Sequence, residues 1–196
     1  MKRVIRSAMQ SLGRVLAVAI LPLSLAAAAA DTPVAADIVP GVWQHHKVTI
    51  SYFGITAAYS CDGLEEHVRN ILLHLGARKD AKVYANGCPR GPEVPSHTAW
   101  IETDFYTLAP ADGSVADAVK AHWAAREVTP RRPFYMGDGD CELIQEMKDL
   151  VLKNFSLRDV QYRTDCVPHQ IVLDGFGING QALIAVDQPG AGKGKS

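Results

Sequence analysis

Apolar residues recur every three or four positions from Leu64 to Leu75. Leu64, Val68, Ile71, Leu72 and Leu75 fall on one stripe, which predicts an amphipathic helix. Asp62, Glu65 and Glu66 stand in its first turn, where the helix dipole favours negative charge. Asp62 with Glu65 also reads as a loose capping box. Gly76 predicts the stop, as the left-handed residue just past a helix. The period then changes to two: Ala81, Val83 and Ala85 alternate with Lys82, Tyr84 and Asn86, as in a strand. Further on, Leu143, Met147, Leu150, Val151 and Phe155 form a second helical stripe, with Asp140 and Glu142 as its early acids. Val160, Tyr162 and Thr164 then alternate with Gln161 and Arg163.

Each helix–strand unit is bracketed by cysteines, Cys61 and Cys88 for the first, Cys141 and Cys166 for the second. The echo reaches upstream. Trp43, Val48, Thr49 and Cys61 recur 80 residues later as Trp123, Val128, Thr129 and Cys141. With three tryptophans and four cysteines in the chain, chance explains this poorly. The register is imperfect. Counting back from the closing cysteine aligns Tyr84 with Tyr162, whereas alternation sets Val83 inward in one unit and Tyr162 in the other.

A helix of about 15 residues rises roughly 22 Å. A strand of about 7 residues running back along it covers roughly 23 Å. The closing cysteine then returns to the level of the opening one, so the two sulfurs can meet, and because a doubled unit should carry its own staple the repeat predicts Cys61–Cys88 and Cys141–Cys166. Four cysteines allow three pairings, and the crossed set, Cys61–Cys141 with Cys88–Cys166, is the alternative.

Residues 47–53 alternate as a half-buried strand, so strand, helix and returning strand predict a right-handed βαβ crossover. Residues 89–95 are a loop rich in Pro and Gly, 97–108 a strand with Ile101, Thr103 and Phe105 on one face, and Asp112-Gly113 a turn. Residues 115–123 fit a short helix or a strand. Residues 128–135 are the second unit's first strand, at an edge, because Pro130 and Pro133 cannot donate to a ladder. Residues 169–178 and 181–187 read as two strands joined by a hairpin at Asn179-Gly180. The sum is an α+β fold: two tandem βαββ-like repeats (43–115 and 123–187) in one globular domain, 43–187, stapled by disulfides. They build a mixed sheet with two helices packed on one face. Residues 31–42 form an extended lead-in and 188–196 a disordered tail.

The N-terminus changes the picture of where this fold works. Lys2, Arg3, Arg6 and Arg14 precede an apolar run over 15–25 and then Ala28-Ala29-Ala30. That order predicts a signal peptide over 1–30, cut near Ala30. A retained membrane anchor is the alternative, but the run is short for one. Nothing later in the chain is long and apolar enough to span a bilayer. The remaining 166 residues carry 16 basic and 21 acidic side chains, a charge of −5. Such a balance exerts no general pull on nucleic acid or an anionic membrane. Export and four cysteines agree on an oxidising compartment, periplasmic or secreted.

Candidate chemistry is sparse. His45 and His46 are adjacent in a strand edge or loop and point to opposite faces; His67 and His74 are two turns apart on a helix. Neither pair has a zinc spacing. Asp138, Asp140 and Glu142 hint at calcium, but the EF-hand glycine and distal glutamate are missing, and acids at a helix start already have a reason to be there. Cys61 and Cys141 at helix starts would be reactive as thiolates; as disulfide partners they are inert. Ser60 precedes Cys61 without a Gly-x-Ser-x-Gly elbow, and no Walker loop, dinucleotide fingerprint or His-Glu-x-x-His helix is present. Lys120, Arg131 and Arg132 form a small basic patch, or a solvated charge cluster. Trp100, Tyr106 and Trp43 belong either to an interaction surface or to core.

The segments Tyr59-Ser60-Cys61-Asp62-Gly63-Leu64-Glu65 and Gly139-Asp140-Cys141-Glu142 resemble stretches of uncharacterised secreted proteins of Gram-negative bacteria. The resemblance implies export through a bacterial inner membrane and brings no activity. The residues therefore predict an exported, disulfide-stabilised protein, non-catalytic, without a cofactor, that binds a protein or surface partner. An exported hydrolase with an unrecognised site is the alternative.

Overall fold

The computed structural model describes residues 37–91, 94–112, 115–134 and 136–187. The segments expected as signal peptide (1–30), lead-in as far as residue 36 and tail (188–196) lie outside the described residues. In order, the elements are β1 (Ile38–Phe53), α1 (Cys61–His74), β2 (Lys82–Asn86), β3 (Thr98–Pro110), β4 (Val119–Val128), α2 (Cys141–Asn154), β5 (Leu157–Thr164) and β6 (Phe176–Ala185). A single 3-10 turn at Asp138–Asp140 leads into α2.

The fold is α+β, with a six-stranded sheet in the order β2-β3-β1-β4-β6-β5. Every neighbouring pair is antiparallel, so the expected mixed sheet is corrected. The reason is where the third strand goes. β1 and β2 run the same way, but β3 folds back between them, so the predicted crossover joins strands that never touch. In the second half β6 likewise lies between β4 and β5. The halves meet along a short seam, from Ile38 opposite His122 to Gly41 opposite Val119.

The stripes read from the sequence are the buried ones. Leu64, Val68, Ile71 and Leu72 of α1 share one core with Leu143, Ile144, Met147, Leu150 and Val151 of α2. The strand residues in that core include Tyr52, Val83, Ala85, Ile101, Phe105 and Ile178, so both helices cover the same face of the sheet. A second, small cluster of Leu108, Ala121 and Leu183 lies with Trp43 and Trp123 on the opposite face, which neither of the described helices covers. The cap of α1 is Ser60, whose Oγ accepts from the Gly63 N–H at 3.2 Å, rather than Asp62. Asp62 instead accepts from Arg90 and from the Gly91 N–H. Gly76 has φ +104, as its place past the helix predicts.

Cys61 is joined to Cys88 and Cys141 to Cys166, and no described cysteine is free. Two such bonds fit an oxidising, exported environment. Among the described residues no helix is long and apolar enough to cross a membrane.

Three strand assignments change. β1 starts at Ile38, inside the expected lead-in. Pro40 is tolerated because its missing N–H falls just past the end of the β1–β3 ladder, at Gly41 opposite Pro110, while its carbonyl still accepts from the Ala111 N–H. The second half's first strand is Val119–Val128, not 128–135. Pro130 and Pro133 turn the chain instead, with a cis bond at Arg132–Pro133. Asn179-Gly180 is no hairpin: β6 runs straight through it. Opposite Gly180, β5 carries a bulge between Arg158 and Gln161, with Asp159 at φ 55. A Cβ on Gly180 would sit 3.1 Å from the Arg158 carbonyl oxygen and 3.4 Å from Val160 Cα, so the glycine serves this close approach. The register leaves Tyr84 on the open face, where it is exposed, and turns Tyr162 toward the core. The apparent match between the two tyrosines therefore joins residues on opposite faces.

Candidate functional site

The acids before α2 join the two halves. Asp140 ends the 3-10 turn and is 5% exposed, a buried carboxylate. The Tyr59 hydroxyl donates to its Oδ1. Its Oδ2 lies 3.5 Å from His67 Nδ1, and neither of those two atoms has a hydrogen bond. The His67 and Tyr59 rings meet edge to face at 5.6 Å. Tyr59 is held by a two-way backbone bridge to Ser96, and His67 by the second turn of α1. Glu142 reaches across in the same sense: its Oε2 accepts from the backbone N–H of Ile55 at 2.7 Å and Thr56 at 2.9 Å. Asp138 accepts from the Asp174 N–H. The three acids thus face three different partners instead of converging on an ion. No group of three or more metal-ligating side chains occurs among the described residues.

Burial, and then the charge of Asp140, push the Tyr59 hydroxyl far above the ordinary tyrosine range; burial does the same to Tyr52, whose hydroxyl donates to the Ala57 carbonyl at 2.7 Å. Both therefore stay protonated as donors. A raised pKa contributes stability that is whole below the unfolded tyrosine pKa near ~10 and is lost as pH rises through the folded value. Urea unfolding at pH 8 to 11 will show stability falling above pH ~10, by roughly 1.4 kcal/mol per pH unit for each tyrosine. Tyr59→Phe removes one share of that slope. A slope unchanged in Tyr59→Phe would contradict this assignment.

The open face is the second candidate. At its centre Trp43 and Trp123 are half-buried, and each carries an arginine. Arg78 Cζ lies 5.8 Å from the Trp43 ring and 3.6 Å from Tyr106, and Arg158 Cζ lies 4.5 Å from Trp123. Arg78 and Arg158 are themselves 80 residues apart; Arg78 lies in the loop after α1 and Arg158 at the start of β5. Trp100, Tyr84 and Phe53 are 60%, 54% and 66% exposed on this face. Beside them a groove of about 280 Å³ is lined by Lys47, Thr49, Tyr84, Glu102 and Asp104.

A larger groove, about 440 Å³, gathers Arg131, Arg132 and Arg163 with Glu127, Gln161 and Asn179. The sequence places Arg131 and Arg132 in one patch, and the structure adds Arg163. Lys120 lies apart, opposite Pro40 on β4. The cations are already matched: Arg131 to Asp174, Arg132 to Glu127 at 3.1 Å and Arg163 to Asp165 at 2.8 Å. The patch therefore presents no net excess of positive charge.

The remaining predicted residues have structural roles. His45 pairs with Asp104 at 2.7 Å and stacks on Tyr106, while His46 turns to the other face and meets Thr107. His74 Nε2 lies 3.0 Å from the Glu127 carbonyl oxygen. Ser60 is the helix cap. Nothing in residue type or spacing marked Tyr59, His67 and Asp140 as neighbours; only the meeting of the two helix starts brings them together. Compared with known proteins, the chain matches no family model, no curated protein and no solved structure.

Proposed function

We propose that the chain is an exported, disulfide-stapled binding protein built from a doubled βαββ unit, and that it works through the open face of its sheet. The signal-like N-terminus over 1–30 and the resemblance to secreted proteins of Gram-negative bacteria support export to the periplasm or beyond. Doubling is supported by the offset of 80, which relates Trp43 to Trp123, Arg78 to Arg158 and Cys61 to Cys141. The strand orders β2-β3-β1 and β5-β6-β4, read inward from the two edges, add to it. The observation that carries the binding reading is the open face itself. Three large aromatic side chains there, on three neighbouring strands, are more than half exposed, and a contiguous exposed patch of this kind marks an interaction surface.

The test is hydrogen exchange of the oxidised protein with and without cell-envelope material. Binding is expected to slow exchange in β1, β2 and β3. Absent protection, or protection confined to α1 and α2, would refute it.

A second reading, an exported hydrolase, draws on Asp140 and His67, an acid and a base 3.5 Å apart. Against it, Ser60 Oγ is engaged as a helix cap and Asp140 is closed in beneath Tyr59. Hydrolysis of model esters, peptides or glycosides that His67→Ala abolishes would favour this reading over binding.

A further inference from the structure

Phe53, Trp100 and Tyr84 are not scattered. Strand register places Phe53 opposite Thr98, Trp100 opposite both Ser51 and Asn86, and Tyr84 opposite Glu102. Each ring is thus the diagonal neighbour of the next, and the three cross β1, β3 and β2 in one line. Diagonal neighbours lie roughly 7–8 Å apart. The middle ring is braced. Gly87 has φ +80, and a Cβ there would fall 2.7 and 2.8 Å from two carbons of the Trp100 indole. The ring therefore rests against bare backbone while more than half of its surface faces solvent.

The gaps between the rings are filled by short polar side chains: Ser51, Thr98 and Asn86, all exposed. Thr49, Glu102, Asp104 and Lys47 continue in the adjoining groove. A protein hot spot is seated in a well-packed, fully desolvated pocket; here each ring stands more than half exposed with a hydroxyl or amide group beside it. A nucleic acid would also stack on such rings, but it needs a cationic track. Here Lys47 and Lys82 are balanced by Glu102 and Asp104, in a chain of net charge −1. A pyranose fits both demands. The C–H groups on one of its faces are attracted to the negative face of an aromatic ring, and its hydroxyls project sideways toward hydrogen-bonding groups.

We infer that this strip binds an uncharged polysaccharide with equatorial linkages, whose sugars stack along Phe53, Trp100 and Tyr84 while their hydroxyls bond in the groove of Lys47, Thr49, Glu102 and Asp104. Three rings in line select a polymer rather than the lone sugar of a headgroup. The inference rests on the binding reading above and names its partner.

The test is calorimetric titration of the full oxidised chain with cellohexaose and with chitohexaose, beside their monosaccharides. Support is binding of at least one hexasaccharide, about tenfold or more tighter than its monosaccharide. Trp100→Ala and Tyr84→Ala should each weaken that binding about tenfold with an unchanged melting temperature, and Trp100→Tyr should restore part of it. The inference is overturned if neither hexasaccharide binds, if the monosaccharide binds equally well, or if both alanine variants bind like the parent chain. Envelope material separates the two failures. Protection of β1–β3 that disappears when the envelope is first digested with protease means a protein partner, which sinks the glycan and leaves the binding reading standing. No protection in either sample, together with no hexasaccharide binding, sinks both.

Discussion

Tyr59→Phe is expected to lower the unfolding free energy by about 3 kcal/mol, and Asp140→Ala by a similar amount. Among the described residues the hydroxyl of Tyr59 is the one hydrogen-bond donor to the Asp140 side chain, in a site almost closed to water. Removing it leaves a carboxylate buried beside His67 without a bond to compensate its lost hydration. Removing the carboxylate instead leaves the Tyr59 hydroxyl and His67 Nδ1 facing each other across a gap. Since both changes break one interaction, the double variant Tyr59→Phe/Asp140→Ala should lose clearly less than the sum of the two. Urea unfolding followed by circular dichroism measures all three chains. Losses under about 1 kcal/mol, or strict additivity, would mean that the contact adds little to the junction of the halves.

Replacing Cys141 and Cys166 together by alanine will cost about 3.5 kcal/mol on the chain-entropy account, and replacing Cys61 and Cys88 will cost nearly the same. The two bonds close segments of almost equal length, 25 and 27 residues apart in sequence, so the freedom that each removes from the unfolded chain is nearly equal. Each also holds the first turn of a helix to the end of the strand that returns beside it. Unequal losses would point to a difference in how the folded halves tolerate the missing sulfurs. A loss of less than about 1 kcal/mol for either pair would contradict the account. Chemical denaturation of the two double variants, beside the oxidised parent, decides it.

The patterned parts of this chain were legible because their burial is one-sided. Leu64, Val68, Ile71 and Leu72 could be read as a helix, and Ile101, Thr103 and Phe105 as a strand face, since a period reveals a face wherever one side meets core and the other water. Gly76 and the closing cysteines were readable from local geometry. The topology was not. Whether β3 returns outside β2 or between β1 and β2 leaves the same alternation in each strand, so nothing along the chain separated a mixed sheet from an antiparallel one. Asn179-Gly180 misled for a related reason. The dipeptide that suits a tight turn also suits a strand crossing opposite a bulge, and only the position of β5 tells which is needed. The candidate sites lie on the same side of this divide. Trp100 and Tyr84 were visible as aromatic residues at outward strand positions. The line they make with Phe53, the bracing by Gly87, and the junction of Tyr59, His67 and Asp140 all depend on register and on contacts between distant segments.

The bulge in β5 has a further consequence at the outer rim of the sheet. A straight, bare rim offers its free N–H and C=O groups to any other chain as a template for fibre growth. Here one rim is the five-residue β2, too short to hold a newcomer, and the other is bent by the extra residue at Asp159. Molecules crowded together would find no flat rim to add to among the described strands, so a broad surface can be displayed at high concentration without seeding aggregates.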